Sequence, residues 1–215
     1  PFSSFSTSFE RKNIYKDFNL GVGFVNDKSG SSKLTLNQLN IALSTNFDIL
    51  KVNSFSVGLL AGFGQKSIDY SDLIFEDSSE NFITNNFLFP DFGVGINYLT
   101  NSHQILSYNF GVSSYHLNSP NNSFNEDEMS KLPIKNNINF GLNYKFSEKT
   151  KIIPEVIYTK QSSQKEILMG LRAIVKLDEI YLFPLMYYRI NDATIVGFGI
   201  EKDNIQANIS YDINT

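Results

Sequence analysis

Alternation of apolar and polar residues along almost the whole chain is the feature that most constrains its fold. In NNINFGLNYKF, residues 136–146, apolar residues stand at every second position and mostly asparagine or glycine stands between them. This period of two is typical of a strand with one apolar and one polar face. It predicts about twelve strands, near residues 3–10, 17–26, 33–47, 54–65, 90–99, 104–117, 136–146, 150–160, 165–176, 179–190, 193–201 and 204–212.

Glycine follows the same alternation. The chain has 13 glycines. Gly30 falls in a predicted turn, and the others fall on polar positions of predicted strands: Gly21, Gly23, Gly58, Gly62, Gly64, Gly93, Gly95, Gly111, Gly141, Gly170, Gly197 and Gly199. Glycine weakens a strand unless close approach or bending requires it. A polar face in bulk water would carry charged residues, so the pattern favours a barrel with a crowded, glycine-rich interior.

The connections support a membrane barrel. Short ones, at 48–53, 100–103, 147–149, 176–179 and 201–204, alternate with longer or more polar ones that include 66–89 and 118–135. Transmembrane barrels have short periplasmic turns and longer extracellular loops. We therefore predict one domain over residues 1–215, an all-β, antiparallel up-and-down transmembrane barrel of the bacterial outer membrane. About twelve strands are visible and about 14 are expected in the full-length chain. The alternative is a soluble lipocalin-like or jelly-roll domain.

Composition excludes several functions. The net charge of -4 argues against nucleic acid as a partner, and the absence of cysteine excludes disulfides and thiolate chemistry. His103 falls in a short turn. His116 ends a strand beside Ser113, Ser114 and Asn118, residue types that a hydrolase would need. Serine and asparagine are abundant throughout the chain, so we predict no enzymatic activity, no cofactor and a structural role for His116.

Two acidic segments are candidate functional loops. They contain Asp69, Asp72, Glu76, Asp77 and Glu80, and Glu126, Asp127 and Glu128. Carboxylate clusters can bind calcium, but the spacing of an EF-hand is absent, so no metal site is predicted. Long loops on a rigid scaffold commonly carry function. We therefore expect these loops to contact a partner protein.

Four charged residues are predicted to form ion pairs inside the barrel. By parity, Glu155, Glu166, Arg172 and Arg189 all lie on the polar face of three consecutive strands. If the turn at 176–179 closes symmetrically, paired residue numbers add to about 355, which places Arg189 opposite Glu166. Glu155 then lies near Gly170, diagonal to Arg172. We expect this cluster to fill the lumen and fix the strand register.

Three positions predict irregular strands. Near Gln38 the apolar parity slips by one residue, which predicts a β-bulge. Pro154 and Pro184 fall on apolar positions inside strands, where proline cannot donate to the ladder. We expect either bulges at the prolines or strands that run beyond the sheet.

Several segments resemble the PorP/SprF family. They are GVGFVNDKSGSSKLTLNQLNIALS (21–44), PDFGVGINYLT (90–100), FGVSSYHLNSPNNSF (110–124) and YYRINDATIVGFGIEKDNIQANISYDIN (187–214). The similarity covers nearly the whole chain. Family members usually open with an NPAYAG-like stretch and end with a final strand that contains glycine and glutamate. Because both are absent here, we expect a chain trimmed at both ends.

The resemblance implies an outer-membrane barrel of the type IX secretion and gliding machinery of Bacteroidetes. Such proteins support export or surface attachment of adhesins that carry a C-terminal sorting domain, and the family is not known for catalysis. The implied partners are outer-membrane lipid, the C-terminal domain of a secreted adhesin and other type IX secretion components. The alternative function is a passive outer-membrane channel or hydrophobic-solute transporter.

Overall fold

The regular structure of the protein consists of strands. The computed structural model describes residues 3–30, 34–49, 53–68, 86–100, 105–124, 130–203 and 205–214. Within these ranges no helix is long and apolar enough to cross a membrane. The strands are β1 (Ser3–Tyr15), β2 (Phe18–Ser29), β3 (Leu34–Ile49), β4 (Asn53–Ser67), β5 (Asn86–Leu99), β6 (Leu106–Tyr115), β7 (Lys135–Lys145), β8 (Thr150–Gln161), β9 (Gln164–Leu177), β10 (Ile180–Leu182), β11 (Leu185–Arg189), β12 (Ala193–Lys202) and β13 (Ile205–Asn214).

The strands follow one another in the sheet in chain order. From β1 to β9 each strand is hydrogen-bonded to the next, β10 and β11 both lie between β9 and β12, and β13 pairs with β12. The pairings of β1 with β2, β2 with β3, β7 with β8 and β8 with β9 are antiparallel, as are those of β10 to β13. The prediction of an all-β, antiparallel, up-and-down sheet is confirmed.

The chain forms two compact units. The first comprises Pro1–Asn46, Val57–Gly95 and Ser114–Ile134, and the second comprises Phe47–Ser56, Ile96–Ser113 and Lys135–Thr215. Thus β1 and β2 belong to the first unit, and β7 to β13 belong to the second. The polar residues around Glu155 and Arg189 lie within the second unit, and those around Asp91 lie within the first.

The two faces of the strands differ in an unusual way, which β5 illustrates. Leu88 and Phe92 are 59% and 46% exposed, whereas Phe89, Asp91 and Gly93 between and beside them are buried. An exposed apolar row and a buried row that contains a carboxylate are the reverse of the distribution in a soluble protein. Strands whose outer face meets lipid show this arrangement. The row of Ile138, Phe140 and Tyr144 on β7 is exposed in the same way.

The polar face is crowded at its glycines. In the first unit, a Cβ atom added at Gly64 would overlap the ring of Phe89, the buried aromatic residue of β5. Glycine at this position therefore lets the ring lie directly against the backbone of β4. The close approach that the glycine pattern predicts is present here.

The two prolines are accommodated without bulges. Phe183 and Pro184 separate β10 from β11, yet the residue offset to β9 and to β12 is the same on both sides of the interruption. Phe183 and Gly199 exchange two backbone hydrogen bonds, of 2.8 and 3.0 Å, and the amide of Ala173 donates to the carbonyl of Pro184 at 2.9 Å. Only the bond that the proline nitrogen cannot donate is lost, so β10 and β11 form one interrupted strand.

Pro154 follows the same rule. It pairs with Leu171 in an unbroken ladder between β8 and β9. On its other side, the ladder with β7 skips two residue pairs and resumes at Tyr144 and Ile152 with an unchanged offset. The predicted bulges at Pro154 and Pro184, and the alternative of strands beyond the sheet, are therefore wrong.

The bulge predicted near Gln38 is also wrong with respect to β2. The ladder between β2 and β3 runs without a register shift from Phe18–Thr45 to Ser29–Leu34. The slip in parity arises because Leu34 and Leu36 occupy the same face of β3 as Gln38. A register irregularity occurs instead in β1, between Arg11 and Tyr15.

Candidate functional site

A row of three residues crosses the polar face of the second unit. Glu155 on β8 pairs with Gly170 on β9, and Gly170 pairs in turn with Tyr187 on β11. A Cβ atom at Gly170 would overlap the backbone and ring of Tyr187. The missing side chain therefore opens the path along which the Tyr187 hydroxyl donates a hydrogen bond to Glu155 Oε1.

Arg172 completes this first network. Its Nε atom lies 3.7 Å from Glu155 Oε1, which is an ion-pair distance rather than a hydrogen-bond distance. Nε is buried and has no hydrogen-bond partner among the residues that the structure describes. The Glu155 side chain is 16% exposed and the Arg172 side chain 41%, so solvent reaches the pair from the side of the arginine. Glu155 thus accepts from the hydroxyl and faces the guanidinium.

Arg189 organises a second network near the end of β11. Its Nη1 atom lies 2.7 Å from Asp192 Oδ2 in the turn before β12, and its Nη2 atom lies 3.1 Å from Asp212 Oδ2 on β13. Its Nε atom lies 3.6 Å from Glu166 Oε2 on β9. One guanidinium therefore connects its own strand, β11, to β9, to the turn before β12 and to β13. Its planar fork of five donors suits several carboxylates at once.

The register differs from the expected one by two residues. Arg189 pairs with Leu168, so Glu166 is its diagonal neighbour rather than its direct partner. The turn between β9 and β10 consists of Asp178 and Glu179 and is centred one residue later than the symmetric turn at 176–179 that the sequence suggested. The structure nevertheless brings Arg189 to Glu166 and Arg172 to Glu155, because diagonal neighbours remain within reach of long side chains.

A third polar group lies in the first unit, around Asp91. This carboxylate is 1% exposed. Its Oδ2 atom lies 2.9 Å from His116 Nδ1 and accepts a hydrogen bond of 3.0 Å from Gln38 Nε2. Gln38 also donates to Asn40 Oδ1 at 3.2 Å. The Oδ1 atom of Asp91 is buried and has no hydrogen-bond partner in the described part of the chain.

The backbone around His116 is held against β5. His116 has a φ of 59°, a left-handed conformation that is uncommon for a residue other than glycine. The amide of Leu117 donates to Phe92 O at 3.0 Å, and the side chain of Asn118 donates to Pro90 O at 2.8 Å. These bonds orient the imidazole toward Asp91. A buried carboxylate fixes the orientation of such a ring.

Several functional residues lack an obvious signal in the sequence. Tyr187, Asp192 and Asp212 belong to the networks of the second unit, and Asp91 and Gln38 belong to the group around His116. Parity places Tyr187 and Asp212 on the polar face, which could have suggested them. Gln38 and Asp91 are 53 residues apart, and their contact depends on strand pairing that the local pattern does not contain.

The predicted partner-binding residues Asp69, Asp72, Glu76, Asp77, Glu80, Glu126, Asp127 and Glu128 lie outside the described residues, as does His103. Among the residues that the structure describes, no group of three or more histidine, cysteine, aspartate or glutamate side chains could hold a metal ion.

Comparison with known proteins assigns the family. No curated protein matches the chain. The family model described as "Type IX secretion system membrane protein PorP/SprF" matches residues 2–215. This is a family of secretion-system membrane components and not a known family of enzymes, and the all-β fold is consistent with an outer-membrane β-barrel. The chain belongs to the PorP/SprF family of type IX secretion system membrane proteins.

Proposed function

We propose that this protein is a non-enzymatic outer-membrane barrel that binds partner proteins and thereby supports the export or surface attachment of cargo adhesins. The observation that carries the proposal is the family match over residues 2–215. The exposed apolar rows of β5 and β7 support the membrane setting, because such rows need lipid to cover them. Outer-membrane lipid is thus the proposed partner of these rows.

Proteins, rather than solutes, are the proposed cargo. Crowding at the glycines and the ion pairs around Glu155 and Arg189 occupy the polar face of the strands. A wide conducting pore would instead need an open lumen lined with water. We propose the acidic loops around Asp69–Glu80 and Glu126–Glu128 as contacts for the C-terminal domain of an adhesin.

The test is purification of the affinity-tagged protein in mild detergent from its native cells, with identification of the co-purifying proteins by mass spectrometry. We expect type IX secretion components and a secreted adhesin. An unrelated outer-membrane barrel with the same tag controls for non-specific membrane proteins. An isolated protein that conducts ions in planar bilayers and brings down no secretion component would contradict the proposal.

A further inference from the structure

A third group of charged side chains lies in the second unit, at the other end of β8 and β9 from Glu166. A hollow of about 420 Å³ is lined by three lysines, Lys149, Lys151 and Lys176, together with Tyr181, Phe183 and Glu201. We call it the basic hollow. Its volume lies within the range of small ligand sites. The chain as a whole has a net charge of -4, so this local excess of positive charge is not a general property of the protein.

Strand pairing places these lysines opposite other lysines. Lys151 on β8 is the cross-strand partner of Lys145 on β7. The amide of Lys176 donates to the carbonyl of Lys149 at 2.7 Å, which aligns those two residues across β8 and β9. Like charges directly opposite each other destabilise a sheet. The pair of Lys149 and Lys176, both of which line the hollow, is stabilised when an anion binds between them.

Two carboxylates also line the basic hollow, those of Glu148 and Glu201. Glu148 lies 2.8 Å from the Nζ atom of Lys145 and neutralises that lysine, so Glu201 alone stands against the three lysines and the lining keeps an excess of positive charge. Among the described residues, Lys149, Lys151 and Lys176 have no ion-pair partner within 4.0 Å. Three ammonium groups are therefore available to a ligand.

The aromatic residues add an apolar side to the basic hollow. The Nζ atom of Lys176 lies 5.7 Å from the centroid of the Tyr181 ring, so the charge and the ring are adjacent. Phe183 and Ile174 line the same hollow. A ligand that fits this surface combines negative charge with an apolar group.

We propose that the basic hollow binds an extended acidic segment of a partner protein, in which an aspartate or glutamate stands beside an apolar or aromatic residue. This inference rests on the proposed function, because it specifies the chemistry of the partner. The three lysines pair with carboxylates, and Tyr181 and Phe183 contact the neighbouring apolar side chain. The turn at 147–149 is short, and short turns of outer-membrane barrels face the periplasm, from which a secreted protein arrives.

A peptide explains the hollow better than a phosphate or a lipid headgroup does. A compact phosphate is favoured by arginine forks or by free backbone amides, whereas the hollow offers flexible lysines and the amide of Lys176 already donates to Lys149. Lipid would meet the opposite face of β8, where Pro154 and Val156 are exposed. Lys151 lies on the other side of that strand.

The experiment measures binding of a labelled six-residue peptide of alternating glutamate and phenylalanine to the purified full-length protein in detergent, by fluorescence anisotropy. The variant Lys151→Gln/Lys176→Gln removes two charges from the hollow. We expect its Kd to rise at least about tenfold, which corresponds to the loss of about 1.4 kcal/mol. The affinity of the wild-type protein should fall as salt increases, because the charges are accessible to solvent.

The matched control is Lys160→Gln/Lys165→Gln. These two exposed lysines are cross-strand partners on β8 and β9 and do not line the hollow. Their removal should change the Kd by less than about twofold, as neither touches the ligand. Lys149 lies in the turn between β7 and β8, where a substitution should have little effect on folding. The variant Lys149→Gln should also weaken peptide binding.

Three results would overturn the inference: no binding of the acidic peptide to the wild-type protein, equal loss in the two double variants, or displacement by sodium phosphate beyond that caused by sodium chloride of the same ionic strength. The proposed function fails separately. A protein that co-purifies secretion components but ignores the peptide rejects the hollow alone, and a protein that binds the peptide but no secretion component rejects the function.

Discussion

The hydroxyl of Tyr187 on β11 donates a hydrogen bond to the carboxylate of Glu155 on β8, although β9 lies between the two strands. The ring crosses the intervening strand above Gly170, the one residue of that row without a side chain. Three consecutive strands are thus connected by side chains as well as by their backbone ladders. Glycine at position 170 therefore leaves the space that the Tyr187 ring needs to reach Glu155.

Removal of the Tyr187 hydroxyl tests this connection. We expect Tyr187→Phe to lower the free energy of unfolding by about 1.5–3 kcal/mol, the range for a hydrogen bond to a charged group. The measurement is urea unfolding in detergent micelles, monitored by far-UV circular dichroism. A double-mutant cycle with Glu155→Gln isolates the pair. Additive effects of the two substitutions would show that the hydroxyl and the carboxylate do not interact.

A side chain at Gly170 should break the same connection. Because a Cβ atom would overlap Tyr187, Gly170→Ala should destabilise the protein by about 1–3 kcal/mol, as expected for overpacking. Gly23→Ala is the matched control, since its nearest neighbouring atom would lie 3.9 Å from the added Cβ. Urea unfolding of both variants checks the prediction. An equal effect at the two glycines would mean that only the intrinsic preference of glycine matters.

Much of the fold follows from the sequence, because period-two alternation fixes which face each residue occupies. Alternation predicts Glu155, Glu166, Arg172 and Arg189 on one face, and in the structure Arg172 lies near Glu155 and Arg189 lies near Glu166. Alternation does not fix register, which depends on where the chain turns. The turn after β9 is centred one residue later than the symmetric turn expected from the sequence, so Arg189 pairs with Leu168 rather than with Glu166.

The remaining differences have physical causes of the same kind. Proline removes one donor but leaves the offset between strands unchanged, so Pro154 and Pro184 do not create bulges. The bond between Asp91 and His116 joins residues 25 positions apart, one inside β5 and the other directly after β6. Neither residue carries a local pattern that points to the other, and only the paired sheet brings them together.

The buried carboxylate of Asp91 should be required for the stability of the first unit. Asp91→Ala removes the partner of His116 Nδ1 and one of the two acceptors of the Gln38 amide, which still donates to Asn40 Oδ1, so we expect a loss of about 1–3 kcal/mol. Asp91→Asn keeps an acceptor oxygen of the same size and should cost less. Urea unfolding of the two variants gives the comparison. If both variants lose the same stability, the charge of Asp91 matters and its hydrogen bonds do not.

Arg189 should hold β13 in place. All residues of β13 are exposed, and its described strand pairing is with β12 alone, so the contact of Arg189 with Asp212 adds a second attachment. We expect Arg189→Gln to speed amide hydrogen exchange in residues 205–214 more than in β8, because the loss is local. Asp192→Asn is the control, because it weakens the contact of Arg189 with the turn before β12 and leaves the contact with Asp212 on β13 in place. Hydrogen-exchange mass spectrometry measures both variants, and faster exchange throughout the chain in Arg189→Gln would indicate a global rather than a local role.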